Sequence, residues 1–264
     1  MKIFIPFLFL LLLTSCSRNL FLPSAVYAPQ LRDKHEGEIG VNANAMSGVQ
    51  AQAAFALGEN FGIQAQANSI GKNGGNILGG PNYWFKFDLD SHNTFLLGFS
   101  AGYSGGTYKR YLTRSAVNGI PGVETSSGYM LYDIYGRWHG GYFQYSLGMR
   151  LDNKFSLYTG TRIQWLNCEK FNYQTQFFAR DSTNSTAIPG EIKTINSSHG
   201  FTTTADVYFG IHFGWKHLQI FLQAQKHYQY NAENLNDDWR KFGQGVATAG
   251  FTYMFYSRKT QKLN

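Results

Sequence analysis

The sequence predicts an all-β chain that closes as an antiparallel up-and-down transmembrane barrel of about ten strands with a narrow, largely filled lumen. Three observations carry that expectation. Apolar residues alternate with polar or small ones at period 2 along most of the chain. Aromatics at 17%, 29 glycines and only 15% charged residues suit strands with many turns and interfacial rings. Beyond residue 15, no apolar run approaches the ~20 residues that a membrane-spanning helix needs.

The chain starts with Lys2, an apolar run from Ile3 to Leu13, and then Thr14-Ser15-Cys16. This is the layout of a cleaved export signal, because about ten apolar residues cannot cross a hydrocarbon core of ~30 Å. Residues 1–15 are therefore expected to be removed, leaving Cys16 first. The tetrad Leu13-Thr14-Ser15-Cys16 resembles the lipobox of bacterial lipoproteins. That resemblance implies diacylglycerol and a fatty acyl chain such as palmitate on Cys16. An ordinary secretory signal is the alternative, and it leaves the thiol at the cleavage site unexplained.

Once Cys16 is acylated only Cys168 remains, so no internal disulfide forms and Cys168 reads as a free structural thiol. The signal removes only Lys2 from 23 Lys and Arg, against 16 Asp and Glu, leaving a net charge of +6. That modest basic excess suits outer-membrane lipid and lipopolysaccharide. No basic helix, zinc knuckle or recognition module points to nucleic acid.

Residues 16–35 read as a lipid-anchored periplasmic linker, residues 36–257 as the barrel and residues 258–264 as a polar tail. Strands are expected near 36–45, 49–57, 61–70, 80–88, 94–105, 128–150, 154–167, 202–215, 217–229 and 244–256. In the eighth, Ala205, Val207, Phe209, Ile211, Phe213 and Trp215 alternate with Asp206, Tyr208, Gly210, His212 and Gly214, a run of membrane-crossing length. The sixth is too long for one crossing. It either projects beyond the membrane as a paired extension or breaks at His139-Gly140-Gly141, and a break would give an odd count that bacterial barrels avoid.

The joins at Gly58-Glu59-Asn60, Asp88 to Asn93, Asp152-Asn153-Lys154 and Lys216 are short and fall on one side. Those near 106–127, 168–201 and 230–243 are long and fall on the other. Short periplasmic turns and long outer loops are the usual asymmetry, so both barrel termini are expected in the periplasm. Gly71-Lys72-Asn73-Gly74-Gly75-Asn76 reads as a hairpin turn, not a nucleotide loop. A soluble β-sandwich would share the alternation, but Gly, Ser, Gln and Asn on the second face suit a narrow lumen better than a sandwich core.

Tyr27-Ala28-Pro29, then Leu31, then Lys34-x-Glu36-Gly37-Glu38 resembles the start of an uncharacterised group of Bacteroidota outer-membrane β-barrel lipoproteins. The chain departs from that pattern by a shorter spacer and an inserted His35-Glu36. The resemblance implies a fold and an outer-membrane location, and it carries no activity.

Alternation places Glu38, Arg150, Arg162, Asp206 and His212 in the lumen, with Tyr158 and Tyr208 between them. Buried charges are costly unless paired, so Arg150 and Arg162 are expected to meet Asp206 or Glu38. Two function classes follow. A filled lumen makes a non-enzymatic structural or accessory subunit of a larger outer-membrane complex. An open one makes a narrow channel for small polar solutes, with the arginines setting selectivity. Ten strands lie nearer the filled eight-strand limit than the porin limit, which favours the first.

An outer-membrane hydrolase is a distant third, with Asp237-Asp238, His199 and His227 near the long loops but no fixed spacing. No nucleophile elbow, His-Glu-x-x-His pair or phosphate loop is present. His92, His139, His199, His212, His217 and His227 are scattered without ligand spacing, so no metal and no cofactor beyond the covalent lipid are expected. Tyr108, Lys109, Arg110, Tyr111 and Arg114 form a basic aromatic set in an outer loop, suited to contacting lipopolysaccharide or a partner protein, or to an ordinary interfacial girdle. Residues 181–198, rich in Ser, Thr and Asn, are expected to be mobile, and Asp181-Ser182-Thr183 resembles an O-glycosylation acceptor of Bacteroidota.

Overall fold

A computed structural model describes residues 25–44, 48–69, 74–90, 93–115, 128–151, 154–180, 187–197, 200–215, 217–230 and 244–256. Eleven strands lie among them, all antiparallel to their neighbours: β1 (Gly37–Asn44), β2 (Gly48–Ala56), β3 (Phe61–Ser69), β4 (Gly74–Asp88), β5 (Asn93–Ser115), β6 (Gly128–Leu151), β7 (Phe155–Arg180), β8 (Ala187–Ser197), β9 (Gly200–Gly214), β10 (Leu218–Tyr230) and β11 (Gln244–Phe255). The order β6-β5-β4-β3-β2-β1-β11-β10-β9-β7 returns on itself, because β7 also pairs with β6. Ten strands therefore close into a barrel. β8 pairs only with the far part of β7, beyond Lys170, and adds no stave to the wall.

Period-2 sequence becomes period-2 burial. Along β3, every residue alternates between exposed and buried, with Phe61, Ile63 and Ala65 outside and Gln64, Gln66 and Asn68 inside. β9 does the same with Val207, Phe209 and Phe213 outside and Asp206, Tyr208 and His212 inside. The outer wall is thus the apolar one. Val41, Phe87 and Phe251 are each more than half exposed, and Trp215 reaches 67% at the end of β9. Rings pack along that wall, Tyr83 on Phe85 at 5.1 Å and Tyr253 on Phe255 at 4.8 Å between centroids. A water-soluble protein does not carry so continuous an apolar surface. An inside-out barrel of this kind has a lipid-facing wall, and a sandwich with its apolar faces turned inward does not fit.

The two ends differ. At one, β2–β3, β4–β5, β6–β7 and β9–β10 join through short connections, and the barrel strands start at Gly37 and end at Phe255 there. At the other, β5, β6 and β7 run on for totals of 23, 24 and 26 residues, against the ~9–11 that cross a membrane. The long sixth strand is therefore a paired extension and has no break at His139, only a register shift between Arg137 and Trp138.

That extension corrects several expected loops. Tyr108, Lys109, Arg110 and Arg114 belong to β5, in register with β6, rather than to an irregular loop. Of these, Lys109 has a described side chain, which is exposed. Gly74, Gly75 and Asn76 are strand residues, all three paired with β5 and the last two with β3 as well, not part of a turn. Residues 187–197 form β8 where a mobile segment was expected, because β7 continues far enough to offer them a partner. Asp181-Ser182-Thr183, Cys16, His199 and Asp237-Asp238 lie outside the described residues, as does the side chain of Cys168.

Candidate functional site

The lumen is occupied by the chain's own N-terminal segment. Ala25, Val26, Tyr27, Ala28, Gln30 and Leu31 are each at most 3% exposed. They form a segment without regular secondary structure or ladder partner, enclosed by the ten staves. Residues 25–35 were expected to be part of a periplasmic linker. Residues 25–32 are instead the barrel's plug, and 33–35 the turn that ends it.

Side chains alternate along the plug as in any strand. Tyr27 and Leu31 pack with Ala54, Ala56, Trp84 and Leu96, whereas Val26 and Ala28 pack with Tyr158 and Tyr208. Its backbone polar groups, which a buried strand without a ladder would leave unsatisfied, are taken by side chains from the wall. Gln50 Nε2 donates to Ala25 O at 3.2 Å, and Gln144 Nε2 donates to Tyr27 O at 2.8 Å. Val26 N donates to Gln225 Oε1 at 3.0 Å. Turning the Gln223 carboxamide also brings its nitrogen 2.8 Å from Val26 O. Gln30 N donates to Glu38 Oε2 at 3.3 Å, and Arg150 donates to Gln30 O at 3.1 Å. Pro29 has no N–H and needs no acceptor.

Space for the plug comes from small residues on the inner face. A Cβ at Gly148 would collide with the Gln30 carboxamide, and one at Gly210 would collide with the Tyr158 ring. What remains beside Tyr27, between Gln64, Tyr142, Gln144 and Arg162, is a cavity of about 10 Å³, room for one water at most.

The segment reverses at the short-turn end. Asp33, Lys34 and His35 form a turn, with His35 in the left-handed region at φ 66° and its N–H on Ala56 O at 3.0 Å. Glu36 Oε2 accepts from Arg32 N at 2.7 Å and Asp33 N at 3.3 Å, which ties the turn together. Lys86 from β4 closes the mouth on Asp33 at 3.0 Å.

Two charge clusters flank the plug. Towards the extension end, Arg162 meets Asp206 through Nε at 2.9 Å and Nη2 at 2.8 Å, as expected. Asp206 also accepts from Gln225 at 2.8 Å, and its Oδ1 lies 2.7 Å from His227 Nδ1. Towards the short-turn end, Arg150 pairs with Glu36 at 3.1 Å and stacks over Tyr256 at 5.1 Å. The expected partner Glu38 is buried nearby but receives the plug's Gln30 N–H instead. His212 is buried between the rings of Tyr158 and Phe221, at 5.1 and 5.5 Å, two strands from Arg150 through Ser156.

Sequence reasoning therefore found Arg150, Arg162, Asp206, His212 and Glu38 on the correct face. It missed Glu36, and it placed His227 near the outer loops when that residue is a buried partner of Asp206. Parity along β10 was the available signal: Gln219, Phe221, Gln223, Gln225 and His227 share the inner face.

Near the extension end, β3 to β7 line a groove of about 460 Å³ that includes Asn76, Tyr103, Arg137, Trp138, His139 and Glu169. Glu169 accepts from Arg137 at 2.9 Å and lies 3.1 Å from His139 Nδ1. Among the described residues, no cluster of three or more His, Cys, Asp or Glu is arranged to hold a metal ion.

No family model and no curated protein matches the chain. Among solved structures, Ail, the attachment invasion locus protein of Yersinia pestis, is 12% identical over 84% of this chain and 99% of its own, with a TM-score of 0.25. The monoaromatic hydrocarbon channel CymD is 11% identical over 86% and 90%, with a TM-score of 0.27. CarO of Acinetobacter baumannii is 10% identical over 84% and 98%, with a TM-score of 0.21. These likenesses are remote and say nothing about activity.

Proposed function

We propose that the protein is a plugged, lipid-anchored outer-membrane barrel that serves, without catalysis or cofactor, as a structural or accessory subunit of a larger outer-membrane complex. The apolar outer wall and the end asymmetry support the location, with the short-turn end periplasmic and the β5–β7 extensions outside the cell. The observation that carries the role is the occupied lumen. Glu38 and Arg150 hold residues 25–36 directly, and the Arg162–Asp206 pair is bound to Gln225, which takes the Val26 N–H.

Of the residues considered for a hydrolase, Asp237, Asp238 and His199 lie outside the described residues. His227 is committed to Asp206 inside the wall rather than exposed at a rim. The working surfaces are then the β5–β7 extensions, with Lys109, Arg137 and the groove beside Glu169 suited to lipopolysaccharide head groups or a partner's acidic residues. Intact protein in planar bilayers is expected to show no current steps, and in mild detergent it should migrate with a complex larger than itself. Sustained conductance by the unaltered protein would overturn this reading in favour of the channel.

A further inference from the structure

We infer that the barrel is threaded by its own N-terminus, so that whatever precedes Ala25, including the lipid-bearing Cys16, leaves through the extension-end mouth and reaches the cell surface. The placement rests on the proposed sidedness of the barrel.

The direction of the plug is fixed by its contacts. The turn at Asp33–His35 abuts Ala56 at the short-turn end, and Gln30 meets Arg150, one residue from that end of β6. Tyr27 meets Gln144 further up β6, and Ala25 meets Gln50, two residues from the far end of β2. The chain therefore descends from the extension end before it turns and climbs back as β1. Eight steps of about 3.3 Å, from Ala25 to Asp33, cover ~26 Å, close to the ~25 Å height of a barrel's apolar band.

From Ala25 the preceding chain has one way out. It cannot double back, because the lumen below holds the plug and the wall side chains packed on it. It cannot leave sideways, because the wall is closed by hydrogen-bonded strands all round. Thr204 lies two residues beyond Asp206 towards the extension end, and its buried hydroxyl has no partner among the described residues. The Asn76 side-chain oxygen, on the same side, is also buried and unpartnered among them. Both continue the polar cradle that holds Val26 and Tyr27 lower down. The nine steps from Cys16 to Ala25 can span up to ~30 Å. A lipid on Cys16 would then enter the outer leaflet, not the inner one.

Cysteine labelling of whole cells with a membrane-impermeant maleimide tests this, in a Cys168→Ser background and with heat-modifiable gel migration confirming that each barrel is folded. Ser17→Cys reports on the N-terminus, Asn118→Cys on the β5–β6 connection and Asn153→Cys on the β6–β7 turn. Threading predicts that Ser17→Cys and Asn118→Cys label intact cells alike, while Asn153→Cys labels only after permeabilisation. Failure of Ser17→Cys to label intact cells, with Asn118→Cys labelling, overturns the threading and leaves the sidedness standing. Labelling of Asn153→Cys but not Asn118→Cys in intact cells overturns the sidedness and this placement with it.

Discussion

Deleting residues 17–32, while keeping Cys16 and the turn through Glu36, is expected to turn a silent barrel into a conducting one. An extended strand occupies about 5 Å in the hydrogen-bonding direction and ~10 Å across its side chains. Its removal leaves a bore of roughly that section, wide enough for a file of water and partly dehydrated small ions. The groups exposed by the deletion tolerate water, since Gln50, Gln144, Gln223 and Gln225 exchange a backbone partner for solvent. Arg150 keeps Glu36, which the deletion retains. The wall itself rests on β-ladders that the plug does not enter, so the variant should still run as a compact, heat-modifiable species. Discrete current steps from that species are the expected outcome. A closed variant barrel without current would mean that wall side chains alone fill the lumen.

Arg162→Met is expected to lower stability by about 3–5 kcal/mol, the usual cost of stranding one member of a buried pair. Both side chains are almost wholly enclosed, at 1% and 0% exposure, and Asp206 would keep only Gln225 and His227. The same Gln225 holds Val26 N, so a disturbed Asp206 also loosens the plug. Heating unboiled samples in steps and following conversion of the fast-migrating form gives the readout. The double variant Arg162→Met with Asp206→Leu should recover most of the loss, because a buried ion pair replaced by apolar residues is often neutral or better. Equal stability of Arg162→Met and the wild type would show that water reaches this pair.

The wall was legible because an inside-out barrel imposes one rule at each position. Phe209 must face lipid and Asp206 must not, and period 2 then places Tyr208 and His212 without further information. Strand count followed from the same pattern with parity. The extensions of β5 to β7 were less legible, because beyond the membrane both faces meet water and the alternation fades, as in Tyr108-Lys109-Arg110-Tyr111. β8 contains Pro189-Gly190 and pairs only with such an extension, so neither its composition nor its partner could announce it.

The plug was hidden for a different reason. A strand enclosed on all sides has no polar face, so Val26, Tyr27, Ala28 and Leu31 show no two-sided contrast, and Pro29 argues against an ordinary ladder. Its hydrogen bonds go to wall carboxamides, which periodicity reads only as polar. The preference of Arg150 for Glu36 over Glu38 follows from that hidden strand. Glu36 stands in the turn that ends the plug, and its position depends on Asp33 and His35 rather than on strand parity.

Hydrogen exchange on the intact folded barrel in detergent tests the enclosed plug most directly. The amides of Val26, Gln30, Arg32 and Asp33 donate to Gln225, Glu38 and Glu36 inside the lumen. They are expected to exchange as slowly as the paired amides of β1. Exchange of residues 25–33 at the rate of an unstructured linker, with β1 protected, would contradict the account.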